Sequence, residues 1–97
     1  MKTQQKKLAK LEEEIIDALA NDYESLDQLR DMLSRPIPDN ELKEALWTLT
    51  QEGYISCHRP TKTEMKSVIH PDRQHLSDYW YALTDTGEGL LGTIEAH

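Results

Sequence analysis

Apolar residues recur at helical spacing through the first half of the chain and at strand spacing in parts of the second. Leu8, Leu11, Ile15, Ala18 and Leu19 share one stripe of a helix predicted over about 8–20, with Glu12, Glu13, Glu14 and Asp17 to its side. The run Glu12 to Glu14 reads as a solvated helix face. After a break at Asn21-Asp22-Tyr23, Ser25-Leu26-Asp27-Gln28 has the form of a capping box, in which the serine and glutamine side chains each satisfy a backbone N–H at a helix start. Leu26, Leu29, Met32 and Leu33 make a short second helix. Arg35-Pro36-Ile37-Pro38 ends it, because proline removes backbone donors and pushes the residue before it out of helical conformation.

The third helix carries the clearest pattern. Leu42, Ala45, Leu46 and Leu49 fall at i, i+3, i+4 and i+7, Asp39 is placed to cap the start, and Gly53 is placed to end the helix in the left-handed conformation. Tyr54 to His58 then switches to strand-forming residues. A structureless loop over the polar stretch from Pro60 to Asp78 would be too long for so small a domain. Lys62 to Ile69 is therefore expected to extend a hairpin, with a turn at His70-Pro71-Asp72-Arg73. Tyr79 to Leu83 forms the next strand, in which Tyr79 and Tyr81 share a face and Trp80 looks the other way. Thr84 to Leu91 closes the domain as a short helix weakened by Gly87 and Gly89.

Length and composition add one domain over residues 1–97, with 30% charged residues and a mean hydropathy of -0.73. No apolar run is long enough to cross a bilayer, and none follows the basic start as in a secretory signal, so no membrane association and a cytoplasmic location are expected. A single cysteine, Cys57, excludes an intrachain disulfide and reads as a small buried hydrophobe. Charge is unevenly spread over the net -7: residues 1–10 carry +4 and are expected to include a mobile basic arm at 1–7, residues 11–53 carry -9, residues 54–83 carry +1 and the tail -3. The helical half is acidic and the hairpin half is not, which bears on partners rather than on fold.

Chemistry-bearing clusters are few. Cys57, His58, His70 and His75 match no zinc spacing. His75, Ser77 and Asp78 contain the residue types of a nucleophilic triad, but close neighbours in one loop rarely adopt its geometry. No glycine-rich phosphate loop or paired-carboxylate cleft is visible, so a non-enzymatic protein without metal or cofactor is expected.

Three helices, the last two joined by a tight turn, then a β-hairpin, form a helix-turn-helix with a wing. Leu42-x-x-Ala45-Leu46-x-x-Leu49-x-x-x-Gly53-Tyr54-Ile55 resembles the signature running from recognition helix to wing in winged-helix proteins. Tyr81-Ala82-Leu83-Thr84-Asp85-Thr86-Gly87 resembles the Y-x-L-T-x-x-G signature leaving the wing in the MarR-like and PadR-like groups. The resemblance covers about Leu8 to Leu91 and implies an α+β fold, a three-helix core with a β-hairpin wing and a short C-terminal helix. It also implies a homodimer that binds duplex DNA, with the third helix in the major groove and the wing near the minor groove or backbone.

Two functions follow from the outward face of the third helix, Asn40, Glu44, Trp47 and Gln51, flanked by Glu41, Lys43 and Thr48. In a DNA-binding transcriptional regulator, Lys43 meets a phosphate, Thr48 or Gln51 a base edge, and Arg59, Lys62 and Lys66 the backbone. Glu44 stands where many relatives carry an arginine and would repel the backbone. The alternative is an adaptor that binds a protein through Asn40, Glu44, Trp47 and Gln51, since exposed tryptophans anchor protein interfaces. Trp47 has a plainer explanation as a residue packed at the helix edge against the wing or the first helix. Arg59, Lys62, Lys66 and Arg73 are as readily an ordinary solvated hairpin as a set of phosphate contacts.

Overall fold

The computed structural model describes residues 8–20 and 22–95, so the expected basic arm at 1–7 and Asn21 of the first break lie outside the described residues. Four helices and four strands follow in the order α1 (Lys10–Ala18), β1 (Glu24–Ser25), α2 (Leu26–Met32), α3 (Asp39–Gln51), β2 (Ile55–Pro60), β3 (Met65–Val68), β4 (Trp80–Leu83) and α4 (Asp85–Glu95). A 3-10 helix, Arg73–Asp78, joins β3 to β4. The strands form one antiparallel sheet in the order β1-β4-β2-β3, packed on the helices.

The core is one cluster. Ile15, Leu29, Leu42, Leu46, Leu49 and Tyr81 are fully buried, and Ile37 is inserted from the turn between α2 and α3. Ile55 and Cys57 come from the helix-facing side of β2, where Cys57 is the small buried residue expected of it. Burial pushes its thiol up. Tyr79 and Tyr81 face inward and the Tyr81 hydroxyl donates to the Leu76 carbonyl, while Trp80 lies half-buried on the opposite face.

Helix ends largely follow their expected chemistry. Ser25 Oγ accepts from the Gln28 N–H at 3.2 Å and Gln28 Oε1 from the Ser25 N–H at 3.0 Å, completing the predicted box. Gly53 has φ of 83°. The Tyr54 N–H reaches the Leu49 carbonyl at 3.0 Å and the Gly53 N–H the Thr50 carbonyl at 3.1 Å, the paired bonds of a Schellman stop.

That stop is where the two sequence signatures meet. Thr84 Oγ1 donates to the Gly53 carbonyl at 2.6 Å, its N–H donates to the Tyr54 carbonyl at 3.1 Å, and its hydroxyl accepts the Gly87 N–H at 3.1 Å. Thr84 thus starts α4 while fastening it to the end of α3. A Cβ at Gly87 would stand 2.0 Å from the Tyr54 carbonyl oxygen, so only glycine permits that approach.

Four expectations change. Asp39 is the first residue of α3 and makes no capping bond; Pro38 precedes it, and the carboxylate is taken by Arg30 and Lys43. Glu12 is buried, its carboxylate accepting the Ala9 N–H at 3.0 Å to start α1. Glu14 accepts from Ser34 Oγ at 2.7 Å and lies 3.6 Å from Arg35, so the acidic run holds α1 to the segment after α2 rather than lying in solvent. Asp72, expected inside a turn, caps the 3-10 helix by accepting the Gln74 N–H at 2.8 Å.

Candidate nucleic-acid interface

The core stripe of α3 fixes which residues it turns outward. Asn40, Glu44 and Gln51 are exposed, and Thr48 is half-buried beside them. Asn40, Thr48 and Gln51 are neutral hydrogen-bonding groups of the kind that read base edges. Lys43 is directed along the helix instead, 3.0 Å from Asp39. The Lys43 hydrogen bond, followed by the charges of Lys43 and Arg30, holds the Asp39 carboxyl below the usual range against the opposing effect of burial. Lys43 is therefore a paired cation.

Trp47 is not a free-standing aromatic. It is half-buried against the core, with the Arg73 guanidinium 5.8 Å from its ring centroid, and the same guanidinium is ion-paired with Glu44. Trp47 is thus packed at the helix edge against the core, and Arg73 of the 3-10 helix adds a contact over its ring. The carboxylate expected to repel DNA carries its own counter-charge.

The wing places its cations differently. Arg59 and Lys66 are direct cross-strand partners between β2 and β3, both exposed, and Lys62 lies in the loop joining the strands. Thr61 shapes that loop, its hydroxyl accepting the Glu64 N–H at 3.1 Å and its N–H donating to the Glu64 carbonyl at 2.7 Å. Arg59 stands 5.4 Å from the ring centroid of Tyr79, whose hydroxyl accepts the Asp72 N–H at 2.8 Å. Tyr79 therefore connects the root of the wing to the start of the 3-10 helix, and Arg73 connects that helix to α3.

Among the described residues, Arg30, Arg35, Lys43 and Arg73 are each paired with a carboxylate, whereas Arg59, Lys62 and Lys66 are not. Sequence patterns grouped Arg73 with the hairpin cations and missed its place beside α3, because its partners lie 26 and 29 positions earlier in the chain.

Other candidate chemistry is dispersed. His75 lies 3.3 Å from Asp78 and 3.6 Å from Asp72, and Ser77 makes no hydrogen bond to it. Cys57, His58, His70 and His75 do not converge; among the described residues no group of three or more His, Cys, Asp or Glu is placed to hold a metal. His58 is buried on the outer face of the sheet beside Tyr23, with Nε2 2.7 Å from Ser56 Oγ, and burial depresses its pKa. No helix among the described residues is long and apolar enough to cross a membrane.

No family model matches the chain, and no curated protein matches it. Among solved structures, a double mutant of ZitR from Lactococcus lactis is similar, with a TM-score of 0.69 at 20% identity over 94% of this chain and 53% of that one. The chain thus spans about half the length of that protein. The likeness and the topology agree on the architecture: the chain is a small α+β winged helix.

Proposed function

We propose that the protein is a non-enzymatic, DNA-binding transcriptional regulator of the MarR-like or PadR-like kind, acting in the cytoplasm as a homodimer. Asn40, Thr48 and Gln51 face the major groove, and Arg59, Lys62 and Lys66 follow the phosphate backbone. One observation carries the proposal. Arg59 and Lys66 oppose each other directly in the wing without a carboxylate partner among the described residues. Like charges facing across a strand pair destabilise it, and a phosphate placed between them removes the repulsion.

Lys43 contributes less than its sequence position suggests, because binding a phosphate requires it to leave Asp39. The adaptor alternative has weaker support: Asn40, Glu44, Trp47 and Gln51 present a polar surface, with the indole half-buried under Arg73.

Replacing Lys62 and Lys66 together by alanine tests the proposal. Fluorescence anisotropy with a generic labelled duplex should show weaker binding on every sequence, with the salt dependence flattened by about two phosphate contacts. Unchanged affinity would remove the wing from the interface. Homodimerisation is tested separately by sedimentation equilibrium, which should return twice the 11.2 kDa chain mass.

A further inference from the structure

We propose that Arg73 is a DNA-contacting residue of the α3 surface, offsetting the Glu44 carboxylate and binding a backbone phosphate. The assignment rests on the DNA-binding function proposed above.

Glu44 lies on the outward face of α3, and an unpaired carboxylate there would oppose a phosphate backbone. Arg73 reaches it from the 3-10 helix and pairs through Nη2, with the guanidinium lying over Trp47. The contact with the indole and the pair with the carboxylate both hold the guanidinium at α3, which lowers the conformational freedom lost when a second anion binds. Among the described residues, Nη2 alone of the guanidinium nitrogens makes a hydrogen bond, and 54% of the side chain is exposed. The remaining N–H groups are available to a phosphate oxygen, which the fork geometry suits.

Position strengthens the case. Asp72, the residue before Arg73, donates its N–H to the Tyr79 hydroxyl, and Arg59 lies over the face of that same ring. Lys66, Arg59 and Arg73 are therefore linked in sequence across the wing root and onto α3. Glu44 orients Arg73, and Trp47 supports it.

The test compares the wild-type chain with R73A, R73K and E44Q by anisotropy on one generic labelled duplex across a salt series, with thermal melting to verify folding. R73A should bind roughly tenfold more weakly, and its log affinity against log salt should be shallower by about 0.9, the contribution of one phosphate. R73K, which keeps the charge, should retain the wild-type slope. E44Q, which removes the opposing charge, should bind at least as tightly as wild type. Wild-type binding with an R73A affinity and slope equal to it would overturn the assignment while leaving the DNA-binding function intact. An R73A loss with an unchanged slope would also overturn it, by reducing Arg73 to a scaffold for the 3-10 helix. Absence of wild-type binding at low salt would defeat the DNA-binding function itself.

Discussion

Gly87 shows how a single position carries architectural information. Its Cα hydrogen faces the Tyr54 carbonyl where a methyl group would overlap backbone, whereas Gly89 and Gly92 have open space. Gly87→Ala should therefore destabilise the fold by at least about 2 kcal/mol in urea denaturation, since backbone cannot yield as a flexible side chain does. Gly89→Ala, in the same helix, should be neutral or stabilising by about 0.5 kcal/mol. Equal effects at both sites would contradict the close approach. The glycine was legible in the sequence as part of a signature, but its reason was not, because Tyr54 lies 33 positions away.

His58 makes a second prediction at this scale. Burial holds its folded-state pKa below the ordinary 6.5, so the folded chain favours the neutral ring. The contribution to stability is complete above the unfolded-state pKa and is lost as pH falls through that value toward the folded one. Urea midpoints should accordingly drop between about pH 7.5 and pH 5.5, and drop less in His58→Gln. An identical drop in the variant would move the cause to another group. His58 is the cross-strand partner of Trp80 on the outer sheet face, and Tyr23, from the loop before β1, covers it there.

Among the elements, legibility followed length and period. The stripe of α3 and the capping box of α2 were readable because each repeats or closes within a few residues. Ser25→Ala should cost about 1 kcal/mol, measured by chemical denaturation, because it removes the hydroxyl that caps α2 while leaving the backbone pairing with Trp80 in place. A cost near zero would show that the backbone pairing alone holds that start. Strand β1 was invisible to periodicity, since two residues define no alternation. The 3-10 helix was hidden by its polar composition: Leu76 and Tyr79 are the buried residues of that segment, three apart, and the rest read as loop. That unread element carries Arg73, so the candidate surface was legible in its wing and its third-helix face but not in the piece joining them.

At the scale of the whole molecule, the net charge of -7 conceals a division of labour. The acids of the helical half are partly structural: Glu12 starts α1, Glu14 holds the segment after α2, and Asp39 and Glu44 engage the cations around α3. Among the described residues, Arg59, Lys62 and Lys66 of the wing have no carboxylate partner. An acidic protein is thereby compatible with a local cationic track, because these three cations lack such a partner and Glu44 engages only Nη2 of Arg73. The same distribution predicts steep salt dependence of the proposed DNA binding, in which the wing cations meet phosphate.

Whether DNA lies along α3 and the wing can be read by titrating isotope-labelled protein with a short duplex at low salt and following backbone amide shifts. Perturbations should concentrate at residues 40–51, 59–66 and around Arg73, and leave the outer sheet face near Ser56 and Ala82 unmoved. Shifts confined to another surface, or none at any DNA concentration, would contradict that placement and direct attention to protein partners of the α3 face.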